Sequence, residues 1–261
     1  MTAFAHEHDT TLNHWQNRRH MAHLRPMLDT LPPLVPSTLY LVATPIGNLE
    51  DITLRALRVL RECDVVAAED TRRTRQLLRH FEIKKPIVSC HQFNEAKRGT
   101  SLIRRLERGE IIALVSDAGT PGISDPGERL VRATLAAEQR IEPVPGPCAA
   151  IAALSAGGLP TDQFFFAGFP PHKSGQRRNR LISLAMIPGT LVFYESPHRI
   201  LKLLGELTEI WPECHIVIGR ELTKKFEEFK RGTPSDILTR MAESKPRGEF
   251  VVLVGEPRTS L

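Results

Sequence analysis

Short apolar runs alternate with amphipathic segments along the chain from residue 38 onward. The runs have the length and β-branched content of buried strands, and the segments between them repeat apolar residues at helical spacing. Because each run in the first half is followed by a predicted helix, these strands are expected to form a mostly parallel sheet. They are predicted at Thr38–Ala43, Asp64–Ala68, Pro86–Cys90, Ile111–Val115 and Ile141–Val144.

The same alternation continues after GGLPTD, residues 157–162, which is the predicted domain boundary. A mixed sheet is expected beyond it, with helices at about 174–186, 197–210 and 234–243. The sequence therefore predicts two α/β domains, residues 38–157 and 158–261. The strands expected in the second are Phe164–Phe169, Thr190–Tyr194, His215–Gly219, Glu249–Gly255 and an edge strand at Phe226–Lys230.

Residues 1–37 differ from the rest of the chain because they lack apolar periodicity. They are rich in histidine and end in the proline-rich segment LPPLVPST. A disordered N-terminal extension is the expectation, and no metal site is predicted from its histidines.

Charge and cysteine usage narrow the class of protein. The formal net charge is +5, and the excess is clustered. Such clusters suit contact with a phosphate backbone, although basic helix faces in solvent would look the same. The four cysteines lie too far apart in sequence for a CxxC pair, so reduced thiols in a cytoplasmic protein are expected. The basic clusters are Arg72–Arg79, Lys97–Arg108 and Lys173–Arg180.

The most informative segment is SDAGTPGISDPG, residues 116–127, which follows the fourth predicted strand. Its glycines let a ligand approach the backbone and its prolines fix the path, while Asp125 and Pro126 are expected to start the next helix. Ligands of open α/β sheets bind beyond the carboxyl ends of strands. Two further Gly/Pro turns, TPIGNLEDIT at 44–53 and PVPGPCAAIAALSAGGLP at 143–160, follow other strands at the same edge. No P-loop, GxGxxG, HExxH or GxSxG pattern accompanies them.

Together with AAEDTR at 67–72, these segments resemble the tetrapyrrole methylase superfamily. Within it they are similar to the branch that methylates the 2′-hydroxyl of a cytidine in 16S ribosomal RNA at the decoding centre. The resemblance runs from about residue 38 to the C-terminus. It implies an enzyme with S-adenosylmethionine bound in a cleft between two α/β domains, acting in a homodimer on the small ribosomal subunit.

The candidate site residues follow from their position at this edge and, for the donor, from the resemblance. Glu69 and Asp70 are candidate general bases for a ribose hydroxyl, although Asp70 could equally cap the helix that begins at Thr71. Asn48 and His91 are further polar candidates at the same edge. The expected donor-binding residues are Pro45, Gly47, Asp117, Ala118, Gly119, Ile123, Ser124, Phe166, Gly168, Tyr194, Glu195 and Gly248. The expected RNA-binding residues are Arg72, Arg73, Arg75, Arg79, Lys173, Arg177 and Arg178.

Three functions compete at this point. The first is an RNA ribose methyltransferase, favoured by the arginines that follow AAED. The second is a C-methyltransferase acting on a precorrin-type tetrapyrrole, whose carboxylates could also use arginines. The third is a ribosome assembly factor without catalysis, in which the Gly/Pro loops are only scaffolding. Saturable donor binding and transfer to RNA would separate the three.

Overall fold

The computed structural model describes residues 32–92 and 94–256. The expected disordered extension at 1–37 lies almost wholly outside these residues. The part of the chain from Pro36 onward forms one unit, which contains both sheets.

The first sheet is parallel throughout, in the strand order β3-β2-β4-β1-β5. Its central strands β1, β2 and β4 consist almost wholly of apolar residues, which suits strands covered by helices on both faces. The predicted parallel sheet is confirmed. The strands are β1 Thr38–Val42, β2 Val65–Ala68, β3 Ile87–Ser89, β4 Ile112–Val115 and β5 Arg140–Val144, with helices α1 Leu54–Glu62, α2 Thr71–His80, α3 Glu95–Glu107 and α4 Glu128–Ala136.

The second sheet is mixed, as expected, in the order β6-β7-β10-β8-β9. β6 and β7 are parallel, and the remaining pairs are antiparallel. The expected edge strand is present, shifted two residues toward the C-terminus. The strands are β6 Phe164–Gly168, β7 Thr190–Glu195, β8 Ile216–Arg220, β9 Glu228–Gly232 and β10 Phe250–Val254, with helices α5 Ala149–Gly157, α6 Ser174–Leu184, α7 Ile200–Ile210 and α8 Pro234–Ala242.

Helix α5 follows the last strand of the first sheet but packs on the second. Its small residues Ala150 and Ala153 lie in one cluster with Val192 of β7 and Leu253 of β10. A methyl group at Gly157 would come within 2.5 Å of Leu253 Cδ1, so the helix end needs glycine for this close approach. Helices α6, α7 and α8 enclose the core on the opposite face of the sheet. The boundary between residues 157 and 158 stays a prediction, since α5 joins the two halves.

The expectation for the start of α4 is wrong. The helix begins at Glu128 with Gly127 as its N-cap, and no side chain caps it. Gly127 has a φ of 143°, and the N–H of Gly122 donates to the Pro126 carbonyl at 3.2 Å. The loop therefore turns back on itself before the helix starts, which leaves Asp125 inside the loop.

No helix among the described residues is long and apolar enough to cross a membrane.

Candidate functional site

The carboxyl ends of β2, β4, β1 and β5 lie side by side, because these strands are parallel neighbours. This edge, here called the rim, carries the turns that the sequence singled out. The N–H of Thr44 donates to the Gly119 carbonyl at 2.9 Å, and the N–H of Gly119 donates back to the Thr44 carbonyl at 3.0 Å. The Thr120 hydroxyl donates to the Pro147 carbonyl at 3.1 Å. Three turns distant in sequence are thus fastened into one wall.

Gly119 needs its glycine because its φ is 90°, a conformation that strains other residues. Its carbonyl also accepts a hydrogen bond from the Ser116 hydroxyl at 3.2 Å. The backbone of this wall therefore has a defined conformation, which depends on the glycine at position 119.

Acidic side chains meet at the centre of the rim. The Asp117 carboxylate accepts a hydrogen bond from the N–H of Asp70 at 3.0 Å, and the N–H of Asp117 donates to Glu69 at 3.4 Å. Arg73 lies 3.5 Å from the other Asp117 oxygen. Asp117 therefore fastens the end of β2 to the loop after β4.

The pKa values separate the roles of these acids. Burial, and then the charge of Asp117, raises the pKa of Glu69. Burial, and then the charge of Glu69, raises the pKa of Asp125 to about 6. Hydrogen bonds from Arg72 lower the pKa of Asp70 to about 2. Asp70 also caps α2 by accepting from the N–H of Arg72 at 2.8 Å, so it is a helix cap and a poor base. Nothing in the sequence indicated that Asp125 belongs to this group of acids.

The second sheet contributes an aromatic wall that meets the rim. The Tyr194 hydroxyl accepts a hydrogen bond from the N–H of Ala150 at 3.2 Å, and its ring meets that of Phe166 edge-on at 5.0 Å. Burial raises the pKa of Tyr194, with contributions from Cys148 and from Asp125 of the rim loop. A methyl group at Gly168 would lie 3.4 Å from the Ser124 hydroxyl, so the end of β6 reaches the rim loop.

A second contact joins the halves at the first turn. The N–H of Asn48 donates to the Thr223 hydroxyl at 3.1 Å, and a methyl group at Gly47 would come within 2.4 Å of Lys224 Cγ. Gly248 has a φ of 89°, and a methyl group there would meet the Glu221 side chain at 2.5 Å. Sequence reasoning missed residues 221–224, because their contribution comes from a contact between segments far apart in the chain.

Most predicted donor residues lie on these two walls. Pro45 and Gly47 belong to the first turn, Asp117 and Gly119 are described above, and Ala118, Ile123 and Ser124 are exposed on the rim loop. Their contacts with a donor stay predictions. His91 is also at the rim, where its Nε2 lies 3.1 Å from the Asn94 side-chain amide nitrogen.

The predicted donor contact of Glu195 is not one that its side chain can make. Its side chain is fully buried, and its Oε1 accepts from Arg199 Nε and from the N–H of Ser196, both at 2.7 Å. Successive residues of a strand point to opposite faces of the sheet, so Glu195 faces away from the wall that Tyr194 forms. Its side chain holds Arg199 and is not available to a ligand.

The predicted RNA-binding arginines divide into two groups. Arg72, Arg73, Arg75 and Arg79 are all exposed on α2. The first two face Asp70 and Asp117, whereas Arg75 and Arg79 line a groove whose other charged residues are Lys84, Lys85 and Glu82. On α6, Arg178 is paired with Glu209.

The predicted RNA contact of Arg177 does not fit its position in the structure. It is 2% exposed and forms a two-pronged ion pair with Glu206 of α7, with nitrogen–oxygen distances of 2.5 and 2.7 Å. A guanidinium buried in this way cannot reach an external phosphate, so Arg177 is a structural residue.

Asp125→Asn should remove part of the pH dependence of stability. Because its pKa is raised from 3.8 to about 6, the folded chain holds this proton more tightly than the unfolded chain does. The free energy of unfolding therefore falls as the pH rises through that window. Urea unfolding should show that the free energy of unfolding of the variant, relative to the wild type, rises by roughly 1 kcal/mol between about pH 4 and pH 7.5. This value is discounted for the partial exposure of the carboxyl group.

The control for this measurement is Glu213→Gln, at an exposed carboxylate on the second half of the chain. Its stability relative to the wild type should not change across the same pH range. The prediction would be contradicted if the free energy of unfolding of Asp125→Asn changed with pH in parallel with that of the wild type.

The fold and the candidate site together define a class of protein with two α/β halves, in which the rim of a parallel sheet meets the aromatic wall of a mixed sheet. The family model described as Tetrapyrrole (Corrin/Porphyrin) Methylases matches residues 38–238. The chain belongs to this family, which confirms both the resemblance seen in the sequence and the predicted fold class.

Individual proteins agree with this assignment. A Pseudomonas aeruginosa protein named Ribosomal RNA small subunit methyltransferase I is 51% identical over 220 residues, covering 83% of this chain and 78% of that protein. A uroporphyrin-III C-methyltransferase structure from Thermus thermophilus is 27% identical, with a TM-score of 0.59 over 84% of this chain and 94% of that one. A structure of the Thermus thermophilus uroporphyrin-III C-methyltransferase with S-adenosyl homocysteine, 20% identical, shares the fold with a TM-score of 0.58 over 84% and 97% of the two chains.

Proposed function

We propose that this protein uses S-adenosylmethionine to methylate the 2′-hydroxyl of a cytidine in 16S ribosomal RNA of the small subunit. The observation that carries the proposal is the rim itself, where a fixed Gly/Pro loop, a group of acids and an exposed arginine helix adjoin one another. The name of the half-identical Pseudomonas relative supports the substrate class. A cytoplasmic location, where ribosomal subunits assemble, belongs to the same proposal.

The residues of the site suit this donor chemically. S-adenosylmethionine carries a methyl group already activated on a positive sulfonium, together with an ammonium group and an adenine. Asp117 and Asp125 offer negative charge for the cationic groups, while Phe166 and Tyr194 offer an apolar, aromatic surface of the kind that accepts an adenine. The exposed Ile123 adds apolar surface beside them.

Glu69 is the group we assign to accept the proton of the ribose hydroxyl. Its raised pKa makes it a better base than Asp70, and it lies at the rim with its carboxylate touching the N–H of Asp117. Asp125 shares the local negative charge. Asp70 instead holds Arg72 at the start of α2, and so positions the basic helix beside the acids.

Helix α2 is the proposed contact for the RNA backbone. Arg75 and Arg79 are exposed, and no ion pair within the described residues uses either of them. Their groove with Lys84 and Lys85 continues the line of positive charge away from the rim. An RNA backbone, whose phosphate groups release counterions when a protein binds, is the expected partner of such a line of positive charge.

The double variant Arg75→Ala/Arg79→Ala should weaken RNA binding about tenfold at low salt and leave donor binding unchanged. Since each lost phosphate contact removes ~0.7 from the slope of log affinity against log salt for single strands, the slope should fall by about 1.4. Filter binding over a salt series measures both quantities. The double variant Arg132→Ala/Arg140→Ala is the control, because both arginines are exposed and already paired with carboxylates. An unchanged slope in the first variant would contradict the role of α2.

Transfer of labelled methyl groups to small ribosomal subunits that lack the modification tests the proposal as a whole. Label at a cytidine 2′-oxygen is the expected result. Donor binding with no transfer to RNA would overturn it, and transfer to a precorrin-type tetrapyrrole would favour the alternative C-methylation. Failure to bind the donor at all would favour a non-catalytic assembly factor.

We also propose that the protein is a homodimer, as the family resemblance implies. The exposed apolar side chains of Ile182 and Met186, at and just beyond the end of α6, support the presence of an interface. Sedimentation of the purified protein tests this directly.

A further inference from the structure

The segment between β6 and α6, residues 169–173 and here called the 169–173 loop, is held by its backbone. Arg199 Nη1 donates to the Pro170 carbonyl at 3.0 Å. Arg177 Nη1 donates to the carbonyls of Pro171 and His172, at 3.2 and 3.0 Å. Three successive carbonyls are therefore fixed by two guanidinium groups, one from α6 and one from the turn just before α7.

Both guanidinium groups are themselves anchored. Arg177 is paired with Glu206, whose other contact is the Ser174 hydroxyl at 2.7 Å, and Arg199 is paired with the fully buried Glu195. Buried ion pairs cost desolvation and lose much of their value if the geometry drifts. The loop consequently has one well-defined conformation, so a ligand that binds it loses little free energy in ordering it.

The side chain that this rigid loop displays is Phe169. The residue is 53% exposed, although it carries a large apolar ring. One edge of the ring meets Tyr194 at 5.6 Å with an interplanar angle of 64°, and Tyr194 in turn meets Phe166. The aromatic wall of the site therefore continues outward into solvent and ends in an exposed ring.

The charges around the ring indicate what it meets. His172 and Lys173 are exposed on the same loop, and within the described residues no ion pair uses Lys173. An aromatic ring on a rigid support, with a free cation four residues away, is the combination that binds an unpaired nucleotide, by stacking on its base and contacting its phosphate.

We propose that Phe169 stacks on a base of the single-stranded RNA acceptor, and that Lys173 contacts a neighbouring phosphate. This inference rests on the proposed function, which supplies the RNA. It gives the second half of the chain a role in holding the acceptor, next to the aromatic wall proposed for the donor.

Phe169→Ala tests the proposal, with Phe164→Ala as the matched control. Phe164 is 45% exposed at the opposite end of the same strand, away from Tyr194. Stacking losses at single-stranded sites predict about tenfold weaker binding of a short cytidine-containing oligoribonucleotide, and a KM for the subunit raised by a similar factor. Donor affinity by calorimetry should stay within about twofold, Phe169→Trp should retain binding, and Phe164→Ala should behave as wild type in every assay.

Three results would overturn the role of Phe169. Phe169→Ala could bind RNA as tightly as Phe164→Ala does. It could instead lose donor affinity, which would assign the ring to the donor. Conversion of the wild-type dimer into a monomer by the Phe169→Ala substitution would show that a second copy of the chain covers the ring. Wild-type protein that transfers no methyl group to RNA would overturn the proposed function alone, because the oligonucleotide comparison decides the role of Phe169 without any transfer.

Discussion

Replacing Asp117 with alanine should weaken donor binding about 100-fold while leaving the protein folded. The Asp117 carboxylate fixes the N–H of Asp70 at 3.0 Å and faces Arg73 at 3.5 Å. Its removal leaves a rim amide without its partner, frees the loop that follows β4 and deletes a negative charge from the proposed donor site. Together these losses correspond to roughly 2–3 kcal/mol. Calorimetry with S-adenosylmethionine measures the change, and Asp117→Asn, which keeps an acceptor oxygen, should lose less.

Asp64 offers a matched control at the other end of the same two strands. Its carboxylate accepts the N–H of Ile111 at 2.7 Å, and so links β2 to β4 at their amino ends as Asp117 does at their carboxyl ends. Asp64→Ala should lower stability by about 1 kcal/mol and leave donor affinity intact. Equal losses of donor affinity in the two variants would show that Asp117 acts only on the fold.

Arg177→Ala should destabilise the protein by about 3–5 kcal/mol, the cost of leaving a buried carboxylate without its partner. Glu206 would keep only the Ser174 hydroxyl, and the carbonyls of Pro171 and His172 would lose their donor. For a chain of this size the melting temperature should fall by roughly 10 °C. Differential scanning calorimetry measures the change.

The neighbouring residue provides the control. Arg178 is also paired with a glutamate of α7, but it lies partly in solvent. Arg178→Ala should therefore cost less than about 1 kcal/mol. The double variant Arg177→Met/Glu206→Leu should recover much of the stability lost in Arg177→Ala, because it removes both buried charges. Equal losses in Arg177→Ala and Arg178→Ala would contradict the assignment of Arg177 as a structural residue.

The two sheets and the position of the Gly/Pro loop at residues 116–127 could be predicted from the sequence, because both depend on local patterns. Apolar runs such as those of β1 and β4 indicate buried parallel strands regardless of how the rest of the chain folds. A Gly/Pro loop after such a strand must emerge at the carboxyl edge. The start of α4 could not be predicted in this way, since Asp125 and Pro126 have the pattern of a helix start but the chain folds back on Gly122.

The side-chain roles in the second half could not be predicted in the same way. Arg177 and Arg178 are adjacent and identical in type, yet one is buried against Glu206 and the other is partly exposed. Tyr194 and Glu195 are also adjacent, and the pleat of β7 sends them to opposite faces. Which of two neighbours meets a ligand depends on the element that packs over each of them.

The sequence by itself determined the order of strands and helices, because periodicity acts over short stretches of chain. Its motifs also resembled those of a known family, and that resemblance implied which loop holds the methyl donor. Only the tertiary structure decided that Asp125 joins the acids of the rim, that residues 221–224 meet the first turn, and that Phe169 stands exposed beside Tyr194. Burial, charge coupling and close approach arise from contacts between residues far apart in sequence, and they set which side chains are free to bind.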